Sequence, residues 1–265
     1  MFPLFTDALP ENARELERLL NASLQRLFRG IDEAAAVADD KYPQLAEIRI
    51  TLDGAQLRSD APPPSLRSTA SGPALQVARF QISGERISAG PATVNLRLDA
   101  HGVALDQGRD PSGNVVLLVK TADDGEIEVS ADTAAIEQAI SAVAKSEASK
   151  HGVVVDQVQL SIKSRGQRSL DAEVQLRAKK LFFSTIVRVS AKLDVDDQLN
   201  AQLSGLSCNG DGAIGALACG ALQPHLQKLD GRSFSLMALP LGEVRLRDVR
   251  IATGDQIRIT AEFGC

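Results

Sequence analysis

Two periods of apolar residues alternate along this chain of 265 residues. The helical period comes first. Leu16, Leu19, Leu20, Leu24, Leu27 and Phe28 recur at i, i+3 and i+4, with Glu15, Arg18, Gln25 and Arg29 on the other side and Gly30 ending the run. This spacing predicts an amphipathic helix whose narrow aliphatic stripe must lie on something. A second helix is predicted over Thr133–Ser149, with Ile136, Ile140 and Val143 as its stripe and His151-Gly152 closing it. A third is predicted over Ala213–Leu229, opened by Asp211-Gly212 and bent near Pro224.

Between the helices the period changes to two, the mark of half-buried strands. Ile48, Ile50 and Leu52 alternate with Arg49, Thr51 and Asp53. Leu75–Ile82 and the Val94, Leu96, Leu98 series read the same way. Val115–Lys120 and Glu126–Ser130 are predicted to form a hairpin across Asp123-Asp124-Gly125. Val158–Ile162 and Ala172–Leu176 follow, and then the longest expected strand, Leu181–Val195, with Phe183, Val187, Val189 and Leu193 inward. At ~3.3 Å per residue such a strand spans roughly 50 Å, which implies an elongated or strongly curved sheet. Asp196-Asp197 turns the chain, Leu199, Ala201 and Leu203 return, and strands around Val244–Leu246 and Ile257–Phe263 finish it. Ser59–Ser65, running on to Pro73, is the one low-complexity stretch and reads as a hinge or flap.

Helix, strands, helix, strands, helix, strands is the order of an α+β protein. The expected architecture is one elongated domain, 1–265, with long, strongly curved antiparallel sheet wrapping the amphipathic helices. The order also allows two similar halves, 1–130 and 131–265, although no residue-level repeat supports them.

Composition narrows the partners. With 8 Phe, 1 Tyr and no Trp, the chain lacks stacking platforms for bases or sugars, and a net charge of −5 argues against nucleic acid. Its apolar side is aliphatic, which suits packing or acyl chains. No stretch approaches the ~20 apolar residues of a membrane span. The first residues lack the basic and apolar regions of an export signal, so a cytoplasmic or membrane-peripheral location is expected, or the envelope if a targeting segment has been removed. The apolar peptide Phe2, Leu4, Phe5 caps a groove, touches a membrane or, most commonly for a terminus, frays.

Candidate chemistry is sparse. Gly210–Gly215 matches G-x-G-x-x-G between a strand and a helix, but the flanking strands alternate like antiparallel ones, so a tight turn with close helix packing is expected and no cofactor. Cys208 with His225 makes a thin nucleophile–base pair, and His101, Asp106 and Asp110 match no metal template. Cys208 and Cys219 are spaced to bridge a strand end to a helix, while burial as free thiols is the reading their residue type favours. The basic groups Arg177, Lys179, Lys180 and Arg245, Arg247, Arg250 face either phosphate headgroups or water along strand edges.

The second half carries a resemblance. The meander from Val153 to Leu206, Ser204–Gly210, the small-residue helix after it, Leu229–Phe234 and Leu239–Val249 together resemble the bacterial LmeA-like family of envelope proteins. That family is linked to the tubular lipid-binding superfamily, which includes the bactericidal permeability-increasing proteins and synaptotagmin-like lipid-transfer domains. The resemblance covers about residues 90–264 and rests on strand and turn patterns. It implies a non-catalytic lipid-binding or lipid-transfer protein with a fatty acyl ligand, peripheral membrane contact and no transferable catalytic residues. An apolar groove between helix and sheet is then expected, lined by Leu16, Leu20, Leu27, Ile140, Val143, Phe183, Val187, Ile259 and Phe263. The alternative is a structural or interaction protein with a filled core and no ligand.

Overall fold

The structure, a computed structural model, describes residues 2–60, 69–150, 152–180, 183–236 and 244–265. In chain order the elements are β1 (Phe2–Pro3), α1 (Ala13–Leu27), β2 (Phe28–Arg29), β3 (Ala35–Lys41), β4 (Gln44–Thr51), β5 (Gln56–Leu57), β6 (Thr69–Ala89), β7 (Ala92–Arg109), β8 (Val115–Thr121), β9 (Asp124–Asp132), α2 (Thr133–Ser149), β10 (Val154–Gly166), β11 (Ser169–Lys180), β12 (Phe183–Val195), β13 (Asn200–Gly210), α3 (Gly212–Leu229), β14 (Ser233–Ser235), β15 (Arg245–Ala252) and β16 (Gln256–Gly264). They build two open, mainly antiparallel sheets with three helices, an α+β arrangement. The larger sheet runs β15-β16-β9-β7-β6-β4-β3, with short strands added at its margins, and the smaller runs β10-β11-β12-β13-β14. β15 and β16 return to pair beside β9, so the larger sheet draws strands from both ends of the chain.

Three expectations about strands change. The longest strand is β6, with 21 residues against 13 for β12. Bulges between Ala70 and Gly72, Pro73 and Leu75, and Gly84 and Ile87 each shift its register, so its alternation breaks and its length is hidden. Thr69–Pro73, read as the end of a flap, belongs to it, while residues 61–68, and Leu181-Phe182 of the predicted long strand, lie outside the described residues. The Asp123-Asp124-Gly125 segment is no hairpin turn. β8 and β9 both pair antiparallel with β7, one after the other, so 115–132 is nearly one strand interrupted at Ala122-Asp123. The real hairpin turn is Asp110–Asn114, where Asp110 Oδ1 accepts the backbone N–H groups of Ser112 and Asn114. Finally, β4 pairs with β6 in parallel, which local alternation cannot reveal.

Helix α1 begins where Asn12 accepts the Glu15 N–H at 2.9 Å, satisfying one donor of the first turn. Its stripe is buried: Leu16 is 0% exposed, and Leu20 and Leu24 join Leu45, Ile48, Ile50, Leu75, Val103 and Leu117 in a filled core. The N-terminal peptide does not fray. β1 pairs with β8, Leu4 is 1% exposed within the same core, and the Phe2 ring packs on Phe80 at 5.3 Å.

The sheets are joined at the β10–β11 turn. Ile251 donates its N–H to Gln167 O at 2.6 Å, Ser164 N–H reaches Thr253 Oγ1, and Arg168 bonds Asp248 Oδ1 at 2.5 Å. Arg250 holds the other oxygen of Asp248 at 2.8 Å. These two guanidinium groups, Arg168 first, lower the Asp248 pKa from 3.8 to about 2. A depressed carboxylate contributes stability that is present above its unfolded pKa and lost as pH falls through the folded one. Acid unfolding should therefore show a component between about pH 4 and pH 2, and Asp248→Asn should remove it, as followed by circular dichroism across that range. An unchanged acid profile in the variant would separate the junction from acid stability.

Candidate functional site

The aliphatic faces of the two sheets are continuous. On the smaller sheet the cross-strand register places Leu160, Val174 and Val189 on one face, together with Ile162, Ala172 and Ala191, and Leu170 and Leu193. On the larger sheet it aligns Leu96, Val129, Ile259 and Ile251 on one face, with Leu98, Ile127, Ala261 and Val249 beside them. Both faces meet in one cluster, where Val195, Leu199 and Ala201 pack with Val249 and Ile251, and Leu170, Leu193 and Ala261 lie against them.

Away from that cluster the covering is incomplete. Leu160, Val174, Leu176, Val189, Ala191, Leu96, Ile127 and Val129 are only half-buried, and Ile259 is 42% exposed. α3 lies over part of this face, since Cys208, the cross-strand partner of Val189, is bonded to Cys219 of that helix. α2 packs along β10, and α3 along β13 and β12, with β11 between them. None of the residues of α2 is buried, although its Ile136 and Ile140 face inward, so this helix covers the trough loosely. A helix that packs on a filled core buries its stripe, as α1 does.

α3 is fixed more firmly. Cys208 of β13 and Cys219 of α3 form a disulfide, which corrects the expectation of free thiols and removes Cys208 as a nucleophile. Thr185 Oγ1 donates to Asp211 O at 2.7 Å, and Leu206 N–H bonds Asp230 Oδ1 at 2.9 Å. The glycine motif serves this contact. A Cβ on Gly210 would come within 2.3 Å of the Gly215 backbone, so β13 and the first turn of α3 approach too closely for any side chain. β12, β13 and β14 are antiparallel neighbours, not the parallel unit of a dinucleotide site. The outward face of α3 is apolar, with Leu217 75% exposed, and helix interior residue Pro224 leaves the run to Leu229 unbroken.

The groove residues expected from sequence fall into separate surroundings. Leu16 and Leu20 belong to the filled core around α1, and Leu27 is half-buried at the end of that helix. Ile140 and Val143 are on α2, the first half-buried and the second 53% exposed. Val187 is 5% exposed, on the same strand face as Val189. Ile259 lies on the half-covered face, and Phe263 packs against the larger core, its ring over Gly125. Phe183 begins β12, and its side chain is outside the described part. The groove set expected from sequence leaves out Leu160, Val174, Leu176 and Val189, although Val189 reads as inward, since periodicity marks an inward face without saying whether it is covered.

Chemically, such a surface can bury aliphatic chains. Among the described residues no group of three or more His, Cys, Asp or Glu is placed to hold a metal, and no helix is long and apolar enough to cross a membrane. His101 pairs with Asp124 at 2.9 Å and Asp110 holds its turn. Arg177, Lys179 and Lys180 end β11, where Lys179 pairs with Asp156 at 2.6 Å. The larger sheet carries a cavity of about 460 Å³ whose lining includes Arg49, Gln81, Asn95, Arg97, Glu128 and Ser130 together with Ile82, Leu96 and Leu98. No family model, no curated protein and no solved structure matches this chain.

The difference between core and trough is measurable. Leu16→Ala should cost about 2–5 kcal/mol, the range for a fully buried leucine. Val174→Ala, at a half-covered position, should cost well under ~1.5 kcal/mol by the transfer of two methylene equivalents. Denaturant unfolding of both variants checks this, and equal losses would mean that the trough is as tightly packed as the core.

Proposed function

We propose that this protein binds a lipid or another elongated aliphatic molecule without chemical turnover, as a carrier or sensor. The observation that carries the reading is the continuous aliphatic face across both sheets, left half-covered beside a helix that buries none of its residues. Each methylene moved from water into such a trough gains ~0.8 kcal/mol, so an acyl chain needs no polar anchor to bind. The lining is aliphatic, which favours flexible chains over flat rings. The filled core around α1 confines the ligand to the part of the molecule flanked by α2 and α3.

The resemblance to the LmeA-like family supports the same reading, and with it a tubular lipid-binding fold in which curved sheet wraps its helices. The Cys208–Cys219 disulfide fits an oxidising compartment such as the bacterial envelope, where peripheral contact with a membrane would load or unload the ligand. Neither the reading nor the resemblance requires a cofactor or a catalytic group.

Overpacking separates a trough from a core. Val189→Trp places an indole in half-open space, so folding should survive while uptake of a fluorescent fatty acid or phospholipid weakens by about tenfold or more, ~1.4 kcal/mol. Val187→Trp, at a buried position on the same strand, should instead destabilise by ~1–3 kcal/mol. Wild-type protein that takes up neither probe, or a Val189→Trp variant that binds as well as wild type, defeats the proposal.

A further inference from the structure

Helix α2 packs along β10 and also touches β7 and β9, and its polar anchors lie at its start and at one point further along. At its start the Thr133 N–H and hydroxyl donate to Asp255 O and Gly254 O in the β15–β16 turn. At its end the chain passes into β10 through Gly152, whose φ of +66° is open to glycine at no steric cost. Between these, the one side-chain hydrogen bond from α2 to the smaller sheet among the described residues is Glu137 Oε2, which accepts the Leu160 N–H at 2.7 Å. β10 is an edge strand of that sheet. The side chain of Leu160 lies on the trough face, and its N–H points instead to the open edge, where Glu137 meets it. The opposite wall cannot move in the same way, because the disulfide ties α3 to β13.

We propose that the seam between α2 and β10 is the entrance to the trough and that Glu137 is its latch. This rests on the lipid reading above. Losing this hydrogen bond leaves apolar contacts alone between helix and edge strand, in which Val155 and Val158 of β10 are buried but no residue of α2 is, so α2 parts from β10 while its ends stay attached. An acyl chain then enters sideways against Leu160 and Val174, and the latch re-forms behind it. Since Glu137 bonds a backbone group and not the ligand, it sets the rates of entry and exit together and leaves affinity alone.

Two measurements on the full chain test this with Glu137→Ala and the conservative Glu137→Gln, whose amide oxygen can still accept. Hydrogen exchange without ligand should quicken at Leu160 and along α2 in Glu137→Ala, not along α3, with Glu137→Gln near wild type. Stopped-flow mixing with a fluorescent fatty acid should show association and dissociation both severalfold faster in Glu137→Ala at unchanged equilibrium affinity. Exchange at α2 that matches wild type overturns the latch. Quickened exchange with unchanged lipid rates overturns the entrance alone. A wild-type protein that takes up no fatty acid overturns the lipid reading and the entrance with it, while the exchange result still reports on the latch.

Discussion

An aliphatic sheet face in water has to be covered, and that requirement organises this molecule. Two open sheets each present such a face, and three helices are available to cover them. α1 spends its whole stripe on the larger sheet, where Leu16, Leu20 and Leu24 complete a dry core with β3, β4, β6 and β8. What remains is a long apolar surface with only α2 and α3 beside it. The junction cluster of Val195, Leu199, Ala201, Val249 and Ile251 joins the two faces. The half-covered trough is therefore a consequence of the ratio of sheet to helix and of where α1 is placed.

The order of strands enforces this outcome. The chain builds the larger sheet, leaves it at α2, builds the smaller sheet, and comes back with β15 and β16 to lie beside β9. That return brings the β10–β11 turn onto β15, and Arg168, Asp248 and Arg250 fasten the contact. Polar bonds hold the sheets together at their margin, and apolar faces run uninterrupted behind them. α3 is fixed to the smaller sheet by a covalent bond and a side-chain-free approach, whereas among the described residues one side-chain hydrogen bond joins α2 to that sheet.

Much of this was legible in the sequence, and the exceptions have physical reasons. The three helices lie where the 3.6 period put them, the second at about Thr133–Ser149 as expected. Strands with unbroken alternation, such as β12 and β16, were equally plain. β6 was not, because each bulge shifts parity and makes one long strand look like several short ones. The β8–β9 hairpin was misread because Asp123-Asp124-Gly125 has turn composition while both flanking segments find their partner in β7. Leu16 and Val143 looked alike as stripe residues, yet one is sealed in the core and the other 53% exposed. Periodicity reports which side of an element is apolar, and the amount of cover depends on tertiary placement.

In the reading proposed above, the half-covered surface beside α2 and α3 is a ligand site and not a flaw in packing. Native mass spectrometry of the full chain, purified gently from cells and followed by solvent extraction, tests this most directly. A mass increment that matches an extractable lipid with at least one long acyl chain is expected, and its loss in a variant filled at Val189. Protein of bare chain mass, with no lipid in the extract and none acquired from added vesicles, would contradict it.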